Sequence, residues 1–430
     1  MYFLKAVEKK RYDTFVANHS EKSHFMQSVA WGELNALERS MTPHYVGMED
    51  KDKNLVAAAL LLERKPFFAP PYFYSPRGFV VDFFNDSLLK EFSQAVGVYC
   101  REEGAMFLKI DPDIERREID AAGTQVIDGA DNSELIERLN NLGFTHLGFN
   151  SGFERRQPRF TFRVDLSPDR EKILSRIEGN VIKNVRKGES NYEAEIYKGE
   201  ADDVDEFYGL IKETSERDDF YAYSKRYYRS FYDILAKYGM VDLYLGKIYI
   251  ERTAESLKKQ LEILRQRKKS YTKERRIKQA EDTERRLLAE LTRFEGYIKS
   301  YGKQRITSAH MVVRYGKHAW AVHAGSADDI KESFLNNRVY LHKILDQKEA
   351  GAEWVDLFGT VGNPINSPLR SLHDFKKQFG GRYIEFIGEF DMIFKPLWYN
   401  IYANLLPRYR ALLFNFREWM RKREKHRGRF

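Results

Sequence analysis

The sequence predicts a mixed α/β fold of two tandem domains, with an antiparallel coiled-coil hairpin inserted in the second. Three observations support this fold class. Apolar residues recur at unbroken 4-3 spacings within residues 250–301, strand and helix patterns alternate on both sides of that stretch, and 430 residues are enough for two to three domains. We therefore expect a globular body that is interrupted by a helical arm.

Two heptad seams define the arm. The first seam comprises Ile250, Ala254, Leu257, Leu261, Leu264, Lys268 and Tyr271, and the second comprises Ile277, Ala280, Glu284, Leu287, Leu291, Phe294, Ile298 and Tyr301. Because these seams flank a basic gap at residues 272–276, the two helices are expected to fold back on each other. At the rise of an α-helix each arm would be about 30 to 35 Å long, so the hairpin should project from its domain.

The composition is typical of a soluble cytoplasmic protein. The single cysteine, Cys100, excludes an internal disulfide and a zinc site built from several cysteines. The first ten residues are already charged and no apolar core follows them, so no secretory signal is predicted. The longest apolar run, residues 55–62, is too short to span a bilayer and predicts a buried strand.

The first domain is placed at residues 1–150. Its patterns predict a helix at residues 15–37, a strand at 55–63, a loop or edge strand at 67–74, a helix at 86–103 and a strand at 106–110. That last strand ends at Asp111-Pro112-Asp113. Helices that alternate with strands, with carboxylates where a strand stops, are typical of an α/β sandwich.

The second domain is placed at residues 151–249 and 302–394, around the hairpin at 250–301. Its predicted strands lie at residues 160–166, 192–197, 240–249, 308–314, 320–324 and 354–358, and its helices begin near 167, 204, 333 and 372. The strands at 240–249 and 308–314 flank the hairpin, which suggests insertion between two neighbouring strands. Residues 395–430 are expected to return to the first domain and to end in a basic amphipathic tail.

The net charge of +8 is concentrated in two appendages. Eight basic residues and one acid lie around the predicted hairpin tip, the bases being Arg265, Arg267, Lys268, Lys269, Lys273, Arg275, Arg276 and Lys278. The tail, residues 408–430, has nine lysines and arginines against two acids, and its apolar residues fall on one helical face. Such clusters favour nucleic acid or an anionic membrane as partners. A solvated coiled-coil surface, a disordered tail, or a terminal helix docked on the protein's own core are the alternatives.

Several standard catalytic motifs are absent from the sequence. It has no phosphate-binding loop, dinucleotide glycine fingerprint, nucleophile elbow or pair of metal-binding histidines, and neither a cofactor nor a metal is expected. Asp111 and Asp113 are candidates for a general base at a strand end, although Asp-Pro pairs also form simple turns. Lys376 is a candidate cation for stabilising an oxyanion, but by itself it is one lysine among many.

A set of short motifs, each weak alone, follows one family order along nearly the whole chain. They are FMQS at residues 25–28 with Trp31, SPRGFVVD at 75–82, KIDPD at 109–113, QPR at 157–159, ERD at 216–218, DLFG at 356–359, FK at 375–376 and IGEFD at 387–391. Together with the inserted hairpin, these motifs make the sequence resemble the FemABX family of peptidoglycan bridge aminoacyltransferases.

The resemblance implies two acetyltransferase-like (GNAT-like) domains with the hairpin growing from the second. It also implies transfer of glycine, alanine or serine from aminoacyl-tRNA to the stem-peptide amine of lipid II, or to a partly built interpeptide bridge. By position, Asp111 matches the carboxylate proposed as the base. Lys376, supported by Phe375, matches the lysine near the acyl carbonyl.

The resemblance further implies which residues contact the substrates. Substrate-binding roles fall to Trp31, Arg77, Arg217, Tyr223, Tyr227 and Asp356. Candidates for tRNA binding at the hairpin tip are Arg265, Lys268, Lys269, Lys273, Arg275 and Arg276. The basic tail would hold the enzyme peripherally on the inner face of the plasma membrane, next to a lipid-linked substrate, and the oligomeric state is left open.

The sequence departs from the family pattern around the acceptor cleft. After Trp31 it has Glu33 and Asn35, where members that hold the muropeptide diphosphate carry lysine. Tyr223 stands where an arginine is expected. These changes bear on how the diphosphate is held and on which acceptor is used, and they leave the reaction class unchanged.

Two other classes of function remain open. An acyl-CoA-dependent acyltransferase of the acetyltransferase-like fold would bind acyl-CoA, although the glycine turn that cradles its pyrophosphate is not evident in the sequence. A non-catalytic adaptor would bind membrane or nucleic acid through the hairpin and tail. Such an adaptor would keep its biological function after substitution of both Asp111 and Lys376.

Overall fold

The computed structural model describes residues 1–20 and 22–406, which form two compact units. Unit 1 comprises Met1–Phe160, Gly359–Ser367 and the described residues from Ile384 onward. Unit 2 comprises Thr161–Phe358 and Pro368–Tyr383. The predicted amphipathic tail lies almost entirely in residues 407–430, outside the described residues, and it stays a prediction.

Helices and strands alternate along the whole described chain. Up to residue 159 they are β1 (Tyr2–Leu4), α1 (Lys9–Asn18), a 3-10 turn (Phe25–Gln27), α2 (Val29–Arg39), β2 (Thr42–Glu49), β3 (Leu55–Arg64), β4 (Tyr72–Ser75), α3 (Asp86–Glu102), β5 (Phe107–Ile110), β6 (Glu115–Glu118), α4 (Glu134–Asn141) and β7 (Phe144–His146). From residue 160 to the end of β10 they are β8 (Phe160–Asp165), α5 (Arg170–Arg176), α6 (Gly179–Asn191), β9 (Ala194–Gly199), a 3-10 turn (Ala201–Asp203), α7 (Val204–Asp218), α8 (Lys225–Lys237) and β10 (Val241–Ile248).

The hairpin and the second half of both units follow. These elements are α9 (Ile250–Lys268), α10 (Glu274–Tyr301), β11 (Arg305–Tyr315), β12 (His318–Ser326), a 3-10 turn (Lys331–Ser333), α11 (Leu335–Glu349), β13 (Trp354–Asp356), α12 (Arg370–Lys377), β14 (Arg382–Phe386), β15 (Phe390–Ile393), α13 (Pro396–Tyr399) and a π-helical turn (Asn400–Leu405).

A seven-stranded sheet in the order β1-β2-β3-β4-β5-β15-β7 forms the centre of unit 1. β4 and β5 are parallel, and the other neighbouring strands are antiparallel. All six residues from Ala57 to Leu62 in β3 are at most 1% exposed. Because successive side chains of a strand point to opposite faces, this strand is covered on both sides of the sheet. The apolar run in the sequence is therefore a buried strand, as predicted.

Two expectations for unit 1 are wrong. The helix expected at residues 15–37 is two helices, because the Ser28 side chain accepts a hydrogen bond from the Trp31 backbone N–H and starts α2 as an N-cap. Just before it, buried Gln27 accepts from the Leu60 backbone N–H and donates to the Pro76 carbonyl. The stretch 67–74 is a loop only to residue 71, since β4 then pairs with β3 on one side and β5 on the other.

Six strands of unit 2 pair in the order β8-β13-β12-β11-β10-β9. β12 and β13 are parallel, whereas the other neighbours are antiparallel. β10 and β11 pair from Val241 with Val313 to Ile248 with Arg305, and the α9–α10 hairpin connects them. The predicted insertion of a hairpin between two neighbouring strands is confirmed.

Ion pairs and a buried seam hold the hairpin together. Lys258 pairs with Glu295 and Arg265 with Glu284, an order that makes α9 and α10 antiparallel. The buried residues include Ala254, Leu257 and Leu261 on α9 and, seven residues apart, Ala280, Leu287 and Phe294 on α10. This heptad packing confirms the predicted fold class, a mixed α/β protein with an antiparallel coiled-coil hairpin.

The C-terminal strand β15 belongs to the sheet of unit 1. It pairs with β5 on one side and β7 on the other, and its Phe390 and Met392 are buried in the core of that unit. The sequence-based division had placed residues 302–394 with the second domain. The difference arises because the chain re-enters unit 1 at Ile384, in the middle of β14, where no break in composition marks the crossing.

Candidate active site

In unit 1, Asp111 is a buried carboxylate at the end of β5. It is 3% exposed, and its two oxygens accept hydrogen bonds from the Tyr74 hydroxyl at 2.9 Å and from the Arg77 backbone N–H at 2.7 Å. Burial raises the pKa of Asp111 to about 6, and the carboxylate of Glu389 acts in the same direction, while the charge of Arg77 opposes it. At neutral pH this group is an ionised carboxylate that takes up a proton under mildly acidic conditions.

Arg77 and Trp31 are engaged inside unit 1. The Arg77 guanidinium donates a hydrogen bond to the Pro158 carbonyl at 2.9 Å and lies 4.4 Å from the centre of the Phe386 ring. Arg77 is 6% exposed and Trp31 is 5% exposed. The Trp31 indole packs edge-on against Phe25, with ring centroids 5.3 Å apart. Arg77 therefore ties the SPRG turn to Pro158 and Phe386, and Trp31 packs on the 3-10 turn that precedes α2.

In unit 2, Lys376 is a buried lysine on α12. It is 7% exposed, and its ammonium donates a hydrogen bond to the Phe358 carbonyl at 2.8 Å. Burial lowers the pKa of Lys376 to about 8, against a smaller opposing effect of the Asp356 carboxylate. Lys376 is thus mostly protonated at neutral pH and loses its charge under mildly alkaline conditions.

Asp356, at the end of β13, fixes the carbonyl that Lys376 contacts. One of its oxygens accepts hydrogen bonds from the Thr161 hydroxyl and, at 2.7 Å, from the Phe358 backbone N–H. The other pairs with the Arg163 guanidinium at 3.0 Å. Asp356 is 3% exposed, so its oxygens are used within the protein. Asp356 therefore affects Lys376 in two ways: it positions Phe358, whose carbonyl Lys376 contacts, and its negative charge favours the protonated lysine.

A buried polar network that the sequence did not reveal lies behind Lys376. Lys343 on α11 is fully buried and its ammonium group is 3.0 Å from Nδ1 of His310 on β11. Nε2 of that histidine is 3.0 Å from the Asn336 side-chain oxygen, which also accepts from the Ser308 hydroxyl. Burial, assisted by the charge of Lys376, holds the pKa of Lys343 well below its usual range. No sequence signal joins these residues, because the histidine lies on β11 and its partners lie on α11, 26 and 33 positions away in the sequence.

A cleft of about 600 Å³ opens beside this network in unit 2, within the size range of small-molecule sites. Its lining includes Arg217, Ser326, Asp329, Asn336, Tyr340 and Phe375. Tyr340 packs edge-on against Phe375, with centroids 4.9 Å apart, and the ammonium of Lys343 lies over the Tyr340 ring. The structure thus brings Phe375 and Arg217 to one cleft, with Lys376 next in sequence to a lining residue.

The ERD motif contains Arg217 and is followed in the sequence by Tyr223 and Tyr227. Arg217 forms a bidentate pair with Asp218 and donates to the Ser326 carbonyl at 2.8 Å. Tyr223 is 47% exposed and stacks on the buried Tyr227 ring at 4.1 Å between centroids. His323 packs edge-on against Tyr228 and Phe231 of α8. Burial lowers the pKa of His323 to about 4, so this histidine is neutral at physiological pH.

The bases at the hairpin tip fall into two groups. Arg265 and Lys268 pair with Glu284 across the hairpin. Among the described residues, Lys269, Lys273, Arg275 and Arg276 are exposed and form no ion pair. The second group is therefore exposed positive charge at the tip, with Glu274 as the one acid among it. Elsewhere in the described chain, no three His, Cys, Asp or Glu side chains converge on a metal-sized site.

Comparison with known proteins gives a consistent result. The FemAB family model matches residues 7–406. A protein named lipid II:glycine glycyltransferase from Staphylococcus saprophyticus is 26% identical over 415 residues, covering 94% of this chain and 95% of the relative. Its counterpart in Staphylococcus aureus is 25% identical over 417 residues with the same coverage.

A solved structure has the same fold. The crystal structure of FemX aligns with a TM-score of 0.76 at 23% identity, covering 94% of this chain and 100% of that chain. In addition, none of the helices formed by the described residues has the length and hydropathy that crossing a bilayer requires.

Proposed function

The chain belongs to the FemAB family, and from that premise we propose that it is an aminoacyltransferase of peptidoglycan bridge synthesis. It moves glycine, alanine or serine from aminoacyl-tRNA to the stem-peptide amine of lipid II, or to an amine of a partly built bridge. The names of the two staphylococcal relatives, lipid II:glycine glycyltransferases, support this substrate class.

The observation that carries the proposal is a buried lysine on α12, the helix whose Phe375 lines the unit 2 cleft. Aminolysis of an ester builds negative charge on the carbonyl oxygen, and a positioned cation in a water-poor site stabilises that charge. Lys376 is buried, its pKa is about 8, and its neighbour Phe375 lines the cleft. We assign Lys376 to the acyl oxygen and Phe375 to the wall that holds the aminoacyl group.

We assign Asp111 the role of general base, which accepts the proton of the attacking amine. The neutral amine attacks the aminoacyl carbonyl, a C–N bond forms, and the ester C–O bond to the ribose breaks. The amine nitrogen loses one proton, and the leaving ribose oxygen gains one. A carboxylate with a pKa of about 6 is ionised at neutral pH and basic enough to accept that proton.

The other substrate residues divide by exposure. Arg217 and half-exposed Tyr223 are assigned direct contact with substrate, with Tyr227 supporting Tyr223 by stacking. Trp31, Arg77 and Asp356 are buried and bonded within the protein, so we assign them positioning roles. Such roles maintain the turn beside Asp111 and the carbonyl beside Lys376.

The partners follow from the charges. The exposed tip bases Lys269, Lys273, Arg275 and Arg276 are assigned to tRNA phosphates, with Arg265 and Lys268 supporting them from inside the ion-paired hairpin. The basic tail is assigned to anionic lipid, which holds the protein on the cytoplasmic face of the plasma membrane.

Transfer by the purified protein tests the proposal. The donors are glycyl-, alanyl- and seryl-tRNA together with acetyl-CoA, and the acceptors are lipid II with and without a first bridge residue. We expect one aminoacyl-tRNA to add its amino acid to one acceptor, as detected by mass spectrometry. Acyl transfer from acetyl-CoA alone, or no product with any aminoacyl-tRNA, would reject the proposed function.

A further inference from the structure

Two consecutive phenylalanine side chains are almost fully exposed on the surface of unit 1. Phe67 and Phe68, in the loop between β3 and β4, are 91% and 83% exposed, and their rings pack edge to face at 4.5 Å. Three prolines flank them, at positions 66, 70 and 71. Because proline restricts the backbone, this loop presents its rings at a small entropic cost. Single exposed apolar residues are common on protein surfaces, but two adjacent exposed rings in a proline-rich loop indicate a candidate contact surface.

The C-terminal helical segment emerges at the same edge of the sheet. The Pro71 carbonyl accepts a hydrogen bond from the Met106 backbone N–H at 2.8 Å, and the Met106 carbonyl accepts from Phe394 at 2.9 Å. The starts of β4 and β5 and the end of β15 are therefore aligned. The loop enters this edge immediately before β4, and α13 leaves it immediately after β15.

The segment packs on the sheet through two tyrosines and exposes three aliphatic side chains. Tyr399 packs against Phe107, and Tyr402 packs against Tyr72, which ties the segment to β4 and β5. On the outside, Leu397 is 81%, Ile401 47% and Leu405 52% exposed. These side chains and the two phenylalanines lie on the two segments that meet at this end of the sheet, and we call them together the docking edge.

Two basic residues lie beside the docking edge in the sequence. Arg64 and Lys65 directly precede the loop; the Arg64 guanidinium donates to the Arg39 carbonyl, and Lys65 pairs with Glu63 while staying 71% exposed. The acidic Glu102, at the end of α3, is paired with Lys5. The chain then continues from the docking edge into residues 408–430, with their nine lysines and arginines.

We propose that the docking edge, Phe67 and Phe68 with Leu397, Ile401 and Leu405, inserts into the interface of an anionic lipid bilayer. Exposed aromatic rings together with exposed aliphatic side chains are typical of surfaces that insert into a lipid interface, and the adjacent Arg64 and Lys65 suit anionic headgroups. The sequence that follows the docking edge, residues 408–430, is itself rich in lysine and arginine. The inference reaches beyond the tail, because it fixes which edge of unit 1 faces the membrane.

A site-specific probe tests this orientation. Cys100 is the single cysteine and is fully buried, so a cysteine introduced at the surface can be labelled alone. We would compare Phe68→Cys with Ile127→Cys, a matched site that is 89% exposed in unit 1 but outside the docking edge. With a polarity-sensitive dye, phosphatidylglycerol vesicles should shift the emission to the blue at position 68 and leave position 127 unchanged. Equal responses at both positions, or a shift without vesicles, would overturn the proposal.

Vesicle affinity of the full chain provides the second test. Phe67→Ser combined with Phe68→Ser should lower binding to phosphatidylglycerol vesicles about tenfold or more, the loss expected for two inserted rings. Ile127→Ser should bind like the parent, and circular dichroism should be unchanged in both variants. An unchanged affinity of the double variant would contradict the proposal. Because no tRNA or acceptor is present, this result is independent of the proposed transferase activity.

Discussion

Asp111 in unit 1 and Lys376 in unit 2 carry opposite charges, yet burial changes both in the same sense, toward the neutral form. The pKa of Asp111 is raised to about 6 and that of Lys376 is lowered to about 8. In each case removal from water is the largest cause, and the opposite charge beside it, Arg77 or Asp356, only offsets part of the change. Each of these two side chains can therefore gain or lose a proton near neutral pH.

Other buried charges in the same units are arranged differently. Lys109 lies 2.8 Å from Asp391 and 3.3 Å from Glu389, and Asp356 is paired with Arg163. Removing one partner of such a buried ion pair leaves an uncompensated charge and lowers stability. Lys109 and Asp356 thus take part in ion pairs within their motifs, whereas burial brings the pKa of Asp111 to about 6 and that of Lys376 to about 8.

The largest expected effect comes from removing the charge in unit 2. Lys376→Met keeps the length of the side chain but removes the cation assigned to the acyl oxygen, so kcat should fall about 10³-fold. Lys377→Met is the matched control, since its lysine is the exposed neighbour on the same helix, and it should transfer like the parent. Steady-state transfer rates measure both. A Lys376→Met rate within about twofold of the parent would remove this lysine from the mechanism.

In unit 1, Asp111→Asn should lower kcat about 10²-fold. The amide keeps an acceptor oxygen for the Tyr74 hydroxyl or the Arg77 N–H but cannot take up the amine proton. The same transfer assay measures the loss, with Asp52→Asn as an exposed control in this unit. If the loss occurred in KM with kcat unchanged, Asp111 would be a binding group and the contrast between the two units would fail.

The smallest expected effect concerns the hairpin tip. Replacing Lys269, Lys273, Arg275 and Arg276 with glutamine should raise the KM for aminoacyl-tRNA about tenfold at low salt. The slope of log affinity against log salt should become less steep by about 3, because four phosphate contacts are lost. The measurement is tRNA affinity over a salt series.

Two bases away from the tip give the control for that series. Lys259→Gln with Lys299→Gln changes the hairpin charge without touching the tip, since both lysines are exposed elsewhere on α9 and α10. This variant should keep the slope of the parent. If the tip variant, the control variant and the parent had equal slopes of log tRNA affinity against log salt, the tip would not contact tRNA.

Most of the fold follows from periodicity. The 4-3 seams, the run of residues 55–62 and the strands that flank the hairpin all match the structure, because each is a local pattern repeated over several turns or a full strand. The N-cap that starts α2 at Ser28 is local, whereas the position of the preceding 3-10 turn and the central position of β4 depend on tertiary contacts. Buried Gln27 bonds to β3 and to the SPRG turn, which no local pattern encodes.

The candidate site divides in the same way. Asp111 and Lys376 were found from short motifs, and their burial agrees with a chemical role that stays a proposal. The network of His310, Lys343 and Asn336 was missed because its members meet only when α11 packs on β11, with 33 residues between the histidine and the lysine. Such a network carries no spacing rule, and only the folded chain brings it beside the cleft.

The dependence of single-turnover transfer on pH tests the contrast between the two units most directly. Activity requires Asp111 ionised, which holds above its pKa of about 6, and Lys376 protonated, which holds below its pKa of about 8. The rate should therefore rise through the first value and fall through the second once ionisation of the acceptor amine is corrected for. Asp111→Asn should remove the acidic limb alone. A corrected rate that stays flat from pH 5 to pH 9 would contradict the account.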